Sequence, residues 1–163
     1  MASPVVSNPS PSEEDRPLPP ASPPPATPVF ESRFRVRSYE LDAFGHVNHS
    51  VFFNYLEQAH FEALDQGGFP GAEIARRGWA VVVVHAEADF RSEARQGDEL
   101  RVRTRVAAVR RTSMRVEQTI VREGDGALVA EGAVVAVWVG PDGRPMPVPE
   151  EVREALGATT AHP

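Results

Sequence analysis

The residues of this sequence best suited to chemistry lie in a short polar stretch between Asp42 and Ser50. Asp42 is followed by a glycine, two histidines and an asparagine, and a helix is predicted to begin near His49 and Ser50. The first turn of a helix carries backbone N–H groups without partners, and its dipole favours negative charge. A carboxylate beside such groups suits acyl transfer, because the carboxylate attacks or activates water while the N–H groups hold the developing oxyanion. Spacing alone leaves open the alternative that Asp42 only braces the loop.

The element that must position this loop is the helix predicted to follow it. Its apolar residues fall on nearly every side, and a helix that is apolar all round is predicted to be buried. Gly67, Gly68 and Pro70 are the residues that end it. Because the chain beyond supplies strands and little further helix, a sheet is predicted to wrap the helix. Its apolar residues are Val51, Phe52, Phe53, Tyr55, Leu56, Ala59, Phe61, Ala63 and Leu64.

Alternation of apolar and polar residues predicts five strands, joined by short connections that indicate an antiparallel sheet and an α+β fold class. The arginine ladder Arg101, Arg103 and Arg105 is predicted to be a solvated face. Edge strands and this charged face need a partner, so at least a dimer is expected. The predicted strands cover 30–38, 79–91, 99–109, 113–122 and 127–139, and short helices are predicted at 71–77 and 149–156.

The composition excludes several kinds of chemistry. All 17 basic residues are arginine, so a Schiff-base lysine is excluded. Cysteine is absent, which excludes a thiol nucleophile, a thiolate metal site and a disulfide, and which fits a reducing, cytoplasmic location. The formal net charge of −6 argues against nucleic acid or an anionic membrane as a partner. The five histidines lack the spacing of metal ligands, so neither a metal nor a cofactor is expected.

The start of the chain differs in composition from the rest. Ten of the sixteen prolines lie in residues 1–28, together with an acidic cluster and no apolar segment of a secretory signal. No apolar run anywhere approaches the roughly 18 residues of a membrane span. We expect 1–28 to be a disordered Pro-rich tail, 29–157 to form one domain and 158–163 to be a short flexible C-terminus.

Five motifs along the chain point to one family. The longest is YELDAFGHVNH at 39–49, and FNYLEQA follows at 53–59. The later ones are FRSEARQGDEL at 90–100, RRTS at 110–113 and RPMPVP at 144–149. Together they resemble the signature of the 4-hydroxybenzoyl-CoA thioesterase family of hotdog-fold proteins.

The resemblance covers about 30–156 and implies a hotdog fold, in which a curved antiparallel sheet of about five strands wraps a long central helix. It also implies a homodimer or homotetramer with active sites at the subunit interface. Asp42 matches the family's catalytic aspartate, described as nucleophile or general base, and the His49 backbone N–H matches the donor that polarises the thioester carbonyl. Arg110 and Arg111 match a basic pair that contacts the phosphates of CoA in some members.

Other residues have competing interpretations. Ser50, at the helix start, is expected to contact substrate. Glu57 is a candidate second acid or base, but a structural hydrogen bond is favoured, because a carboxylate on an apolar helix is costly unless paired. His46 and Asn48 are expected to shape the loop and cap the helix. Tyr55 is either an acyl-pocket residue or plain core.

The predicted function is hydrolysis of an acyl-CoA thioester to a free acid and CoA. A thiol leaving group has a pKa of about 8.5 and departs with little acid catalysis, so one carboxylate and an oxyanion hole suffice. Two alternatives stay open: an acyl-carrier-protein thioesterase of the same fold, and a non-catalytic acyl-binding module. A hotdog dehydratase is disfavoured, because the helix start lacks a His-Phe-Pro pattern.

Overall fold

A computed structural model describes residues 27–157, so the predictions for most of the Pro-rich tail and for 158–163 lie outside the described residues. No helix within 27–157 has the length and apolar character needed to cross a membrane. The strands are β1 (Phe30–Arg35), β2 (Ala80–Phe90), β3 (Glu99–Val109), β4 (Ser113–Arg122) and β5 (Leu128–Val139), and the helices are α1 (His49–Gln66), α2 (Gly71–Arg76) and α3 (Glu150–Ala155).

The five strands form one antiparallel sheet in the order β1-β3-β4-β5-β2. The 18-residue helix α1 separates β1 from β2 in the chain, and these two strands occupy opposite edges. Phe34 pairs with Leu100 and Leu100 pairs with Arg122, so the ends of β1, β3 and β4 are aligned beside the loop that precedes α1. The prediction of a long helix on a five-stranded antiparallel sheet is confirmed.

Helix α1 buries one face and leaves the other open. It packs chiefly against β1 and β3, and its buried residues include Phe52, Tyr55 and Leu56. The opposite face carries Phe53, 38% exposed, and Phe61, 42% exposed. The prediction that the helix is buried on nearly every side is therefore wrong for the described chain, because one sheet layer covers only one face of the helix.

Two residues under α1 allow it to lie close to the sheet. Gly132 on β5 leaves room for the helix, since a Cβ at this position would lie 2.6 Å from Leu56 Cδ1. The buried Gln118 on β4 donates from Nε2 to the Leu56 carbonyl at 2.7 Å and to Thr104 Oγ1 at 3.2 Å. These hydrogen bonds join the middle of the helix to the sheet. The loop that carries Asp42 lies at the N-terminal end of the helix.

The face of the sheet away from α1 carries paired charges. Arg103 contacts Glu31 at 2.9 Å, and Arg105 contacts Glu117 at 2.6 Å. The arginine ladder predicted to be solvated lies on this face, above an open groove of about 480 Å³. Charged residues that line this groove lie on the opposite face of the sheet from α1, away from the loop of Asp42.

Strand β2 forms an exposed apolar edge. Val82 and Val83 are each 46% exposed, and Val84 is 61% exposed at a bulge in the pairing with β5. Only one side of β2 is hydrogen-bonded to a neighbouring strand within residues 27–157. An apolar edge with unpaired backbone groups is a surface suited to pairing with another strand.

Candidate active site

The loop before α1 is a tight hairpin. Leu41 pairs with Val47 in an antiparallel bridge, and the Asp42 N–H donates to the His46 carbonyl at 2.7 Å. Gly45 sits at the turn with φ +78°, a conformation that costs an L-residue roughly 1–2 kcal/mol. Glycine at this position thus lets the chain reverse within five residues, so Asp42 lies beside the start of the helix.

The loop holds the Asp42 carboxylate through one of its two oxygens. Oδ1 accepts the Phe44 N–H at 2.8 Å and the His46 N–H at 3.2 Å. These bonds, led by that from Phe44, together with the nearby His46 and His49, hold the pKa of Asp42 below its usual value. Oδ2 makes no hydrogen bond with any described residue. The carboxylate is therefore ionised near neutral pH, oriented by its loop, and has one oxygen available.

The first turn of α1 carries backbone N–H groups, most of which have acceptors within the described part of the chain. Asn48 caps the helix, and its Oδ1 accepts the Ser50 N–H at 3.0 Å and the Ser50 hydroxyl at 2.9 Å. The Asn48 N–H donates to the Glu40 carbonyl, and the Val51 N–H donates to the Asn48 carbonyl. The His49 N–H has no acceptor among residues 27–157. The prediction that Asn48 caps the helix is confirmed, and the Ser50 amide is already engaged.

A buried carboxylate that sequence analysis missed joins the loop to α1. Glu40 is 7% exposed, and its Oε2 accepts the Tyr55 hydroxyl and the Arg37 N–H, both at 2.7 Å. Burial, with the hydrogen bond to Glu40, raises the pKa of Tyr55, so its phenol stays protonated and donates. Tyr55 is 4% exposed and stacks on Phe34 at 5.3 Å, which makes it a core residue in the described chain. Glu40 lies within the family motif, but nothing local marked it as buried.

His46 connects the loop to the segment between β2 and β3. Its Nε2 lies 2.8 Å from Glu93 Oε2 and 3.2 Å from Arg95 Nη2. The shorter contact is to the carboxylate, so Nε2–H donates to Glu93. The Val47 N–H also donates to the Ala94 carbonyl at 2.8 Å. His46 therefore shapes the loop, as predicted.

Glu57 lies on the open face of α1, away from the loop. It follows His49 by eight residues along the same stripe, roughly 12 Å down the helix axis. It is exposed and makes no hydrogen bond with a described residue, so the structural hydrogen bond favoured from the sequence is absent in residues 27–157. Glu57 faces outward, so the free-energy cost of burying an unpaired carboxylate does not arise. Its role as an acid or base stays a prediction.

Arg110 and Arg111 lie at the opposite end of the sheet from the loop of Asp42. They occupy the connection between β3 and β4, while the loop of Asp42 lies near Glu99, where β3 begins. The 11 residues of β3 span roughly 35 Å. Within one chain, the structure does not bring these arginines to Asp42.

Phe52 and Phe90 form an aromatic pair near the start of α1. Phe52 is buried on α1, and its ring lies 5.4 Å from that of Phe90 on β2. Phe90 is 47% exposed, so it offers apolar surface at the same end of the sheet as Asp42. The residues 27–157 hold no group of three or more side chains suited to bind a metal ion.

Comparison with known proteins identifies the family. Residues 36–156 match the family described as the thioesterase-like superfamily. The chain belongs to this superfamily. The solved structure of the hypothetical protein TT1821 from Thermus thermophilus superimposes on this chain with a TM-score of 0.72. The two sequences are 34% identical, and the match covers 78% of this chain and 96% of TT1821. The predicted hotdog fold is confirmed.

Two relatives in the superfamily carry named activities. The acyl-acyl carrier protein thioesterase ATL2 of Arabidopsis thaliana is 32% identical over 127 residues, covering 78% of this chain and 68% of ATL2. The long-chain acyl-CoA thioesterase FadM of Escherichia coli is 26% identical over 110 residues, covering 68% of this chain and 83% of FadM. The prediction of a thioester hydrolase is confirmed at the level of the superfamily.

Proposed function

We propose that this protein is an acyl-CoA thioesterase of the 4-hydroxybenzoyl-CoA thioesterase family, acting in the cytoplasm. The observation that carries the proposal is the pairing of Asp42 with the start of α1. Asp42 presents an ionised carboxylate with one oxygen fixed and one available, beside a helix whose His49 N–H has no described acceptor. A non-catalytic binding module has no need of this pairing.

Two routes from this geometry lead to the free acid. As a base, Asp42 Oδ2 takes a proton from water, whose oxygen attacks the thioester carbonyl carbon. As a nucleophile, the same oxygen attacks directly and forms an anhydride that water then hydrolyses. In both, the carbonyl oxygen becomes negatively charged and accepts the His49 N–H, and the C–S bond breaks to release a thiolate.

The substrate carrier we favour is coenzyme A, as in the name of FadM. The name of ATL2 supports the alternative, a thioester carried by an acyl carrier protein. Around the loop, each exposed arginine has a carboxylate partner: Arg35 with Glu99, and Arg95 with Glu93. The loop side of the site, within the described part of one chain, therefore presents no excess of positive charge to an acidic protein.

We propose a homodimer formed through the apolar edge of β2. A homotetramer built from two such dimers stays an alternative. Two copies of β2 pair antiparallel about a two-fold axis, so the Phe90 end of one strand lies beside the Ala80 end of the other. Phe90 belongs to the end that holds Asp42, and Ala80 pairs with Val139 at the end that holds the hairpin of Arg110. Each active site then combines the loop of one subunit with the hairpin of its partner.

A panel of short, long and aromatic acyl-CoAs, with matched acyl-carrier-protein substrates, tests the proposed function. Released thiol is measured with a thiol-reactive dye, and the protein contributes no background because it has no cysteine. Asp42→Asn is expected to lower kcat about 10²- to 10⁴-fold. Asp65→Asn, which removes an exposed carboxylate of α1, is the matched control and keeps the wild-type rate. Wild-type turnover by Asp42→Asn would overturn the mechanism.

A further inference from the structure

His46 is held at its backbone and at its side chain by two different carboxylates. Its backbone N–H donates to Asp42 Oδ1 at 3.2 Å, and its carbonyl accepts the Asp42 N–H at 2.7 Å. Its ring Nε2 lies 2.8 Å from Glu93 Oε2. Glu93 belongs to the segment between β2 and β3, which is distant from the hairpin in the chain. A side chain from outside the hairpin thus contacts the residue whose amide helps to orient Asp42.

Glu93 uses both of its carboxylate oxygens. Oε1 accepts Arg95 Nε at 2.9 Å and lies 2.8 Å from Arg95 Nη2, while Oε2 faces His46. The hydrogen bond from Arg95, together with the charges of Arg95 and the nearby His46, holds the pKa of Glu93 below its usual value. Glu93 is therefore ionised at neutral pH and accepts the imidazole N–H through an oriented oxygen.

The backbone around Glu93 is anchored on both sides. Arg122 of β4 donates from Nη1 to the Glu93 carbonyl at 2.6 Å. The Val47 N–H donates to the Ala94 carbonyl at 2.8 Å. Ala94 is 1% exposed and belongs to the same core cluster as Val47. The Glu93 side chain therefore extends from a segment that strand and core contacts keep in place.

The turn of the hairpin gains a tertiary anchor at His46. Two amides bind Asp42 Oδ1, and they flank Gly45, whose φ of +78° lies in a region that glycine enters freely. The Phe44 side chain on one side of this glycine is 83% exposed. The His46 ring on the other side is held by Glu93. The His46 amide therefore depends on a contact outside the hairpin to keep its direction toward Asp42.

We propose that Glu93 is a positioning residue for thioester hydrolysis. Its carboxylate holds the His46 imidazole, and the His46 amide in turn fixes Asp42 Oδ1, so that Oδ2 stays directed at the thioester carbonyl. The inference rests on the proposed function and adds to the same site a residue from another segment. The side chains of His46 and Glu93 are 33% and 47% exposed, and an ion pair so exposed adds little to stability. Glu93 therefore acts on the orientation of Asp42 and on the rate.

Kinetics of two Glu93 variants test the proposal. Glu93→Ala is expected to lower kcat about 10- to 100-fold with KM unchanged, because the base is displaced while the substrate contacts remain. Glu93→Gln keeps an oxygen that accepts the His46 N–H, so it should recover most of the lost rate. Glu99→Ala is the matched control, since Glu99 is a similarly exposed carboxylate that faces Arg35 at 3.7 Å. A wild-type kcat in Glu93→Ala would overturn the proposal.

The pH dependence separates lost positioning from lost charge. The ionisable side chains around the contact are Asp42, His46, His49, Glu93, Arg95 and Arg122. Removing the negative charge of Glu93 would by itself lower the pKa of Asp42, whereas losing the His46 amide raises it, because that amide favours the ionised form. Glu93→Ala should therefore move the acid limb of kcat/KM to higher pH, and Glu93→Gln should not. A limb that stays in place or moves to lower pH in Glu93→Ala would contradict the positioning role.

A measurement without substrate separates this inference from the proposed function. The Asp42 carboxyl group is titrated by NMR in the full-length protein with labelled aspartate, and thermal unfolding checks that each variant is folded. We expect a higher pKa of Asp42 in Glu93→Ala than in the wild type or Glu99→Ala. If no thioester is hydrolysed but this pKa rises, the proposed function fails and the positioning of Asp42 by Glu93 stands. If thioesters are hydrolysed and neither kcat nor this pKa responds to Glu93→Ala, the proposed function stands and the role of Glu93 fails.

Discussion

The Glu40 carboxylate accepts the Tyr55 hydroxyl at 2.7 Å, and this contact joins the segment before the Asp42 loop to the middle of α1. Both groups are buried, and the residues are 15 positions apart. Because the Glu40 carbonyl also accepts the Asn48 N–H, one residue fixes both sides of the hairpin. The position of Asp42 relative to the helix start depends on this contact.

Tyr55→Phe leaves the Glu40 carboxylate buried without one of its donors. The expected cost is about 1–3 kcal/mol in the free energy of unfolding, with a lower kcat because the loop is less firmly held. Denaturant titration and thioester hydrolysis measure the two effects. Tyr39→Phe, at a side chain that is 76% exposed, is the control and should change neither. An unchanged stability in Tyr55→Phe would show that the contact is dispensable.

The pH dependence of hydrolysis should reflect the lowered pKa of Asp42. The ionised form is active, so kcat/KM persists as pH falls through about 4, the usual pKa of an aspartate, and declines only at lower pH. Gly45→Ala disturbs the turn that aims the Phe44 and His46 amides, which raises this pKa and moves the acid limb to higher pH. Initial rates after pH jumps report the shift. Gly126→Ala, with φ +72° in a distant hairpin, carries similar strain and should leave the limb in place.

Asn48→Ala removes the side chain that caps α1. The expected loss is about 1 kcal/mol of unfolding free energy, because the Ser50 N–H loses its acceptor. Asn48→Asp keeps an acceptor oxygen at the same position and should retain stability. Thermal unfolding of the two variants beside the wild type measures the difference. Equal stability of Asn48→Ala and Asn48→Asp would contradict a capping role.

Mixed dimers test whether each site combines two subunits. Asp42→Ala and an Arg110→Glu, Arg111→Glu double variant are each expected to hydrolyse dilute acyl-CoA poorly. When the two are co-expressed, half the dimers are hybrids with one intact site, which restores about a quarter of wild-type activity. No recovery is expected if Asp42 and both arginines serve the same site from one chain, and that outcome would refute the shared site.

The buried His60 is expected to lower the free energy of unfolding in acid. It is 6% exposed on α1, beside a cavity of about 20 Å³, and burial lowers its pKa from 6.5 to about 4. As pH falls, the unfolded chain binds a proton first. Stability is therefore full above pH 6.5 and falls by about 2–3 kcal/mol as pH approaches 4.

His60→Leu should remove this part of the pH dependence, as measured by denaturant titration between pH 7 and 4. The exposed His85 offers the control, since His85→Gln should retain the dependence. If the slope of stability against pH were the same in His60→Leu as in the wild type, other groups would account for the loss.

Local patterns sufficed for the elements and the loop. The predicted bounds of β3 and β4 match the structure at both ends, because strand alternation is read from successive residues. The Asn48 cap was also predictable, since a capping side chain reaches only to the next residues of the chain. The open face of α1 could not be predicted from the sequence, because Phe53 and Phe61 are as apolar as their buried neighbours.

The chemistry of the loop follows from residues that are close together in the chain. Asp42 binds the amides of Phe44 and His46, so the hydrogen bonds that orient it span at most four residues. The distant groups that join the loop are brought there by packing between strands and helices far apart in the chain. The burial of Glu40 depends on Tyr55, and the separation of Asp42 from Arg110 depends on the direction of β3. Hydrogen bonds between near neighbours follow from local geometry, whereas burial and distance arise only when strands far apart in the chain pack together.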